Sequence, residues 1–513
     1  MAYADIQFNT HIKMTLPEDF VSYTRQLMGD ALYQQLEQGL TSSNAPVSIR
    51  INPFKCKDAT LVDGTPIPWC PNTGRYLWSR PSFTFDPWLH AGLYYVQEAS
   101  SMMVDLAVRQ LVHQPVMMLD LCAAPGGKST ALRAALPEGS LLFSNEPMRT
   151  RSQILAENIQ KFGHPDMIVT NNYPRDYKKS GLQFDVILTD VPCSGEGMFR
   201  KDEGAIQEWS LQNVENCWKL QREIVADIWH CLKPGGILIY STCTFNAHED
   251  EENAEWIAQE LGADFIKLDI SEDWNITGNL IDKDEPHPVY RFIPGKTQGE
   301  GLFLCVLRKH EDADEEEVTM GLNCQQDKKD KKIKNKDHKA KGKKAGNSAN
   351  KPLTMIPGNW LLGMGGLPGD SEPGMGYDYI KKEDDVFAIP SRWIPVYATV
   401  QDKLKVIHAG IKLGTDKGKG LIPDQSLALS IKLNREAFNQ VELSYEDAIR
   451  YLRKEAVNLP EGTPKGYVLI TYRNTPIGFE KNIGNRANNL YPQEWKIKST
   501  HIPEEEVIVL KNV

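Results

Sequence analysis

The sequence predicts an α/β fold: a doubly wound parallel sheet with helices on both faces. A small N-terminal α+β module and a strand-rich C-terminal region flank it. Three observations lead there. Strand-like and helix-like patterns alternate from residue 93 to about 310. A glycine loop, Asp120-Leu-Cys-Ala-Ala-Pro-Gly-Gly-Lys-Ser-Thr130, stands between a buried apolar run and a helical pattern. A charged stretch, acidic over His310–Val318 and lysine-rich over 319–351, separates two folded parts. At roughly 150 residues per domain, 513 residues suit three domains. The expected divisions are 1–92, 93–310, a disordered linker over 311–351, and 352–513.

Along the chain, apolar Phe20, Leu27, Leu32 and Leu36 recur at mostly helical spacing and predict a helix over Leu16–Leu40. Ser48–Lys55 reads as a strand in which Ile49 and Ile51 alternate with polar neighbours. A Pro- and Trp-rich loop follows from Pro66 to Trp88. Val116–Cys122 is the first strand of the alternating region, and Lys128–Leu136 the helix after it. Leu141–Glu146, a helix over Arg149–Phe162, and the strands Met167–Thr170 and Phe184–Asp190 come next. Leu220–Leu232 reads as a helix stopped by Lys-Pro-Gly-Gly. Gly236–Thr244 is the fifth strand and Gly301–Leu307 a late one. Beyond the linker, strands with turn punctuation surround one helix near Tyr445–Ala456.

The net charge is −10, which by itself speaks against a phosphate-binding surface. It averages unlike pieces, since the acidic run is followed by eleven Lys against three Asp in 319–351. Nine Cys are scattered without a CxxC pair or a partnering His motif, so neither zinc nor a disulfide framework is expected. No signal pattern and no run of 18 apolar residues leads to the expectation of a soluble cytoplasmic chain without membrane attachment.

The glycine loop admits two ligand classes. A phosphate loop, GxxxxGK[ST], needs Gly where Cys122 stands, and Pro125 removes an N–H from a loop meant to donate them. S-adenosylmethionine carries no phosphate, and Gly126 and Gly127 would let the backbone approach its methionine part. Glu146 ends the second strand twenty residues after Gly126, the spacing at which an acid accepts from ribose hydroxyls.

Two cysteines end adjacent strands on the same side: Cys193 in Asp190-Val-Pro-Cys-Ser-Gly-Glu-Gly197, and Cys243 in Ser241-Thr-Cys-Thr244. These segments, with DLCAAPGGKST, YVQEASSM (Tyr95–Met102) and RFIPGKTQGEGLF (Arg291–Phe303), resemble the Sun-type RNA cytosine-C5 methyltransferases over about 1–310. The resemblance implies a Rossmann-like, S-adenosylmethionine-dependent core acting on RNA. It implies Cys243 as the nucleophile on cytosine C6, Cys193 as the thiol that assists release, and Asp190 as the residue meeting the base. A thiol is needed because cytosine C5 cannot attack a methyl sulfonium until addition at C6 makes it an enamine carbon. Carried over as cofactor-binding are Cys122, Ala123, Ala124, Pro125, Gly126, Gly127, Lys128, Glu146, Arg151 and Asp190. One departure stands out. The family usually has an Asp after the third strand, at the adenine end of the cofactor. Here the chain reads Thr170-Asn-Asn-Tyr-Pro-Arg175, leaving Asn171, Asn172 or Tyr173 in that role.

The C-terminal segments His408–Gly420, Leu443–Leu452 and Ile477–Pro492 resemble the extension of the small-subunit ribosomal RNA members, implying a PUA-like RNA-binding module. Lys412, Lys417, Lys419, Lys481 and Arg486 in its loops, and Arg50 and Lys55 in the N-terminal module, are RNA-contact candidates. The lysine run 328–344 reads as a solvated tether. The expected partner is therefore ribosomal RNA or the small ribosomal subunit, met by a monomer without a metal. Alternatives are a tRNA substrate, or a non-catalytic assembly factor that binds ribosomal RNA.

Overall fold

The computed structural model describes residues 15–41, 45–57, 60–61, 63–282, 284, 286–311, 359–362, 376–418, 420–499 and 502–511. The expected linker beyond Glu311, its lysine run, and Lys419 lie outside the described residues.

Helix α1 (Glu18–Thr41) is interrupted at Gly29, whose φ of 73° is left-handed. Its Phe20 packs edge-on against Phe199 and Trp209, at 5.1 and 5.7 Å between ring centres. The following sheet is antiparallel, ordered Thr65–Pro66, β2 (Gly74–Leu77), β1 (Val47–Ile51), β3 (Tyr94–Val96). The N-terminal sheet thus takes a strand from beyond residue 92. In β1 the expected alternation is absent: Ser48 and Arg50 are buried along with Ile49 and Ile51. Both faces of the strand are covered, and its polar side chains are hydrogen-bonded inside the protein.

After α2 (Met103–Leu111) come β4 (Met117–Asp120), α3 (Gly127–Ala135), β5 (Leu141–Asn145), α4 (Arg149–Phe162), β6 (Met167–Thr170) and β7 (Phe184–Asp190). Then follow α5 (Leu211–Trp229), β8 (Leu232–Thr242), α6 (Glu251–Glu260), β9 (Ala263–Phe265), β10 (Val289–Phe292) and β11 (Leu302–Lys309). Strands β8-β7-β4-β5-β6 are parallel in that order. Neighbouring residues of β4 divide the core: Met118 packs with Leu132, Leu155 and Ile159, whereas Leu119 packs with Val225 and Ile228 of α5. A strand's period of two sends successive side chains to opposite faces, so helices cover both.

The sheet is mixed rather than wholly parallel. β11 lies antiparallel on β8, with β9 and β10 antiparallel on β11. An antiparallel pair can be joined by a short loop, whereas a parallel one needs a crossover, and only residues 293–301 separate β10 from β11. Helix α5 begins nine residues before the expected Leu220. Ser210 caps it by accepting from the Asn213 N–H at 3.1 Å, and its first turns are too polar to show an apolar stripe. The Lys-Pro-Gly-Gly segment is a bulge within β8, where the register jumps between Leu232 and Ile237.

The C-terminal region forms two four-stranded sheets. One of its strands, β12 (Val406–Ala409), leaves them and adds antiparallel to β6 at the edge of the main sheet. Its Ile449, Tyr451 and Val468 share one apolar core with Ile49, Phe83, Trp88 and Tyr94 of the N-terminal module. The linear composition suggested separate pieces; the folded chain interleaves them. Among the described residues, no helix is long and apolar enough to cross a membrane.

Candidate active site

Strand order reverses between β4 and β7, since β5 and β6 run to one side and β8 to the other. Ligands of open α/β sheets bind at that reversal, beyond the carboxyl ends of the strands. There the glycine loop follows β4, Asp190 ends β7, and Cys243 follows β8.

The loop is held by its surroundings. The Ala123 N–H donates to Asn145 O at 2.8 Å, the Arg151 guanidinium to Ala124 O at 3.0 Å, and the Asn158 amide to Pro125 O at 2.8 Å. Ala124–Pro125 is a cis peptide bond. Gly126 has φ +114°, and a Cβ there would come within 3.2 Å of Leu155; at Gly127 it would come within 3.2 Å of Tyr95. The two glycines therefore answer to backbone conformation and to packing against α4 and β3, in addition to any approach by a ligand. Arg50 is buried and reaches the same loop. Its guanidinium donates to Gln97 Oε1 at 2.8 Å, Thr130 Oγ1 at 2.5 Å and Gly127 O at 3.4 Å. Lys55 is likewise turned inward, donating to Ala91 O at 2.7 Å and Lys161 O at 2.6 Å, and burial pulls its pKa down to about 7. Both side chains, RNA-contact candidates in the sequence, are taken up by partners within the protein. Lys412 is also committed, ion-paired with Asp385 at 2.9 Å and Asp424 at 3.3 Å.

Three carboxylates converge on the loop. Asp120 bonds Ser129, Asp190 bonds Lys128 and Glu146 lies against Arg151, and after burial the charges of all three push the Cys122 thiol up. Asp120 accepts from the Ser129 hydroxyl at 2.6 Å, its other oxygen is buried without a hydrogen-bond partner, and burial raises its pKa to about 7. Glu146 is 2% exposed, accepts from the Met148 N–H at 2.9 Å and lies 3.4 Å from the Arg151 guanidinium. The unpartnered, buried Asp120 oxygen is an acceptor open to a ligand that carries hydrogen-bond donors.

At the other side of the crevice, Cys193 Sγ and Cys243 Sγ are 3.1 Å apart. The Cys243 N–H also donates to Cys193 Sγ at 3.4 Å. The hydrogen bond to Cys243 and then burial push the Cys193 pKa well above its ordinary value, so Cys193 keeps its proton. Beside them, the Lys128 ammonium donates to Asp190 Oδ2 at 2.8 Å, and the Ser241 hydroxyl to Asp190 Oδ1 at 2.8 Å. Burial works against the Lys128 charge, but Asp190 outweighs it and holds the ammonium above its ordinary value; Cys243 contributes in the same direction. Lys128, expected only as a cofactor residue, thus pairs with the candidate acid.

A buried polar network fixes both cysteine loops. Glu249 Oε2 accepts from the Ser194 N–H at 3.0 Å and from the Gln221 amide at 2.7 Å, and that amide also donates to Pro192 O at 2.9 Å. Glu196 Oε2 accepts from the Phe245 N–H at 2.7 Å, and the Asn246 amide bridges Glu196 and Glu249. Arg291 donates to Phe245 O at 2.9 Å and is paired with Asp250 and Glu251 in the interior. Glu196 and Arg291 stood inside segments already recognised, yet nothing in the sequence gave them a task. Gln221 and Glu249 carried no signal. Asn171 and Asn172 follow β6, each bonded to Lys405, while Tyr173 is 54% exposed.

Residues 110–308 match the 16S rRNA methyltransferase RsmB/F family. Residues 16–99 match the N-terminal domain of 16S rRNA methyltransferase RsmF, and 438–497 the methyltransferase RsmF PUA domain. The ribosomal RNA small subunit methyltransferase F of Vibrio atlanticus is 28% identical over 505 residues, covering 94% of this chain and 98% of the relative. That of Aeromonas salmonicida is 29% identical over 511 residues, covering 94% and 98%. Among solved structures, PH0851 has TM-score 0.50 at 20% identity, covering 60% of this chain and 70% of that one, a likeness of fold.

Proposed function

The chain belongs to the RsmB/F family of 16S rRNA methyltransferases, and from that membership we propose that it methylates C5 of a cytosine in small-subunit ribosomal RNA through a covalent bond from Cys243 to C6. At the coarser level it is an S-adenosylmethionine-dependent methyltransferase of ribosomal RNA, with an RNA-binding PUA domain. The observation that carries the finer reading is the sulfur pair at 3.1 Å beside the Lys128–Asp190 pair.

S-adenosylmethionine, when bound, supplies an electrophilic methyl group on a sulfonium. Glu146, Arg151 and the loop Cys122–Lys128 would hold it, as the three converging carboxylates support. The target base has to leave its stack, because C5 and C6 are out of a side chain's reach within one. The Cys243 thiolate adds to C6, and the Lys128–Asp190 pair supports the charge that develops at N3. C5 then takes the methyl group. Loss of the C5 proton to a base and departure of the Cys243 thiolate restore the ring. Cys193, still protonated, donates to the departing sulfur and makes it a better leaving group. Both sulfurs, the acid and the glycine loop come from one chain, so a monomer carries the whole site, and a cytoplasmic setting fits its ribosomal RNA substrate.

Bisulfite sequencing of total RNA from cells with and without the gene tests this reading. One small-subunit ribosomal cytosine should lose protection in the deletion strain, and Cys243→Ala should fail to restore it. Loss of protection in a tRNA instead would transfer the same chemistry to the alternative substrate. No change in any RNA would leave the non-catalytic assembly factor.

A further inference from the structure

The C-terminal region contributes to the far end of the cofactor crevice. Lys405 immediately precedes β12, the strand that joins β6. Its backbone is clamped to the end of β6: the Asn171 N–H donates to Lys405 O at 2.9 Å, and the Lys405 N–H donates to Asn172 Oδ1 at 3.0 Å. Its ammonium donates to Asn171 Oδ1 at 2.7 Å. The Asn171 amide in turn donates to Glu146 O and Pro147 O, both at 2.8 Å. Two hydrogen bonds therefore lead from the Lys405 ammonium to the backbone of Glu146.

That location has a chemical meaning. The cysteines and Asp190 lie over β7 and β8, so the reacting end of a cofactor stretched across the crevice lies there. Its nucleoside end then extends over β5 and β6, where Glu146 and Asn171 stand. The Asn171 amide has its oxygen and its nitrogen both engaged, and Asn172 Oδ1 is taken by the Lys405 N–H. These amides form a fixed wall, and the strand that fixes it comes from the other end of the sequence.

We propose that Lys405 is a positioning residue for the adenosine half of S-adenosylmethionine: its ammonium holds Asn171, and Asn171 holds the Glu146–Pro147 turn so that the Glu146 carboxylate meets the ribose. The inference rests on the reading of Glu146 as a cofactor residue. It also makes the C-terminal RNA-binding region and the cofactor crevice one mechanical unit, since displacing β12 would release Asn171.

The test is calorimetric titration of S-adenosylhomocysteine into the full-length wild type, Lys405→Met, Lys405→Arg and Lys403→Met. Lys403 is the neighbouring control, as its ammonium donates to Ser180 O at 3.1 Å, away from Asn171. Lys405→Met should bind about tenfold more weakly, the size of one charge-assisted hydrogen bond. Lys405→Arg should bind within about threefold of wild type, and Lys403→Met like wild type. In turnover, the KM for S-adenosylmethionine should rise in Lys405→Met by the same factor, with kcat at saturation and the KM for RNA held. Unchanged binding by Lys405→Met would overturn the inference. So would weakened binding matched by an equal weakening in Lys403→Met, which would mean general loosening of the C-terminal region. Failure of the wild type itself to bind S-adenosylhomocysteine would instead overturn the cofactor reading beneath it.

Discussion

Replacing Arg50 by methionine keeps an aliphatic stem in place and removes a guanidinium that ties β1 to the glycine loop. Arg50 is 1% exposed, and burial holds its pKa below the ordinary value. The substitution leaves Gln97 Oε1 short of a donor. Gly127 O keeps the Thr130 hydroxyl at 3.1 Å, and that hydroxyl also donates to Gly126 O at 2.9 Å. An acceptor buried without its donor costs about 1–3 kcal/mol. Relief from burying a charge offsets part of this, and a net loss of about 1 kcal/mol is expected. At roughly 2–4 °C per kcal/mol for units of this size, the thermal midpoint should fall by about 2–4 °C. The loop's grip on cofactor should loosen with it. The assay is calorimetric unfolding, paired with RNA binding at several salt concentrations. The reasoning is refuted if the midpoint holds while RNA affinity drops and its salt dependence becomes shallower. That is the signature of a phosphate contact, which the sequence pattern around Ser48–Lys55 had suggested.

Glu480 is 1% exposed, neither of its oxygens has a hydrogen-bond partner among the described residues, and burial raises its pKa from 4.5 to about 7. The folded chain then holds a proton that the unfolded chain releases, so stability falls as pH rises from about 4.5 to about 7 and is level above. Glu480→Gln should match wild type near pH 4.5 and exceed it at pH 8 by about 1–3 kcal/mol; equal differences at both pH values would contradict the burial argument. Gly163 has φ +82°, and a Cβ there would sit 2.2 Å from Leu429 O, so Gly163→Ala should cost at least about 2 kcal/mol, read as a lower urea midpoint. Arg291→Leu would strand Asp250 and Glu251 in the interior and should cost about 3–5 kcal/mol, with Phe245 and the Cys243 loop losing protection from hydrogen exchange.

The parts legible in sequence are those whose chemistry is written in short contiguous segments at strand ends. The glycine loop, Asp190, Cys193 and Cys243 each follow a strand readable from its own apolar run, and parallel alternation brings those ends together. What stayed hidden is what depends on partners remote in sequence. Arg50 looked like an exposed strand cation because the loop that buries it lies some eighty residues on. Glu249 and Gln221 meet only when α5 and the loop after β8 are folded. The strand Val406–Ala409 is too short and plain to announce that it completes a sheet begun at Met117. The residue after β6 stood as a gap in a family pattern because Lys405 comes from the far side of the charged linker. Lys-Pro-Gly-Gly misled in the ordinary way, being turn chemistry that a bulged strand can also use.

The central claim is that Cys243 forms the bond to cytosine and Cys193 helps break it. Full-length Cys193→Ala should therefore be incubated with small-subunit ribosomal RNA and S-adenosylmethionine, then run on a denaturing gel beside Cys243→Ala and the double variant. The account predicts a heat-stable protein–RNA band for Cys193→Ala alone, with no methylation by Cys243→Ala. A band that persists in the double variant, or methyl transfer by Cys243→Ala, would contradict it.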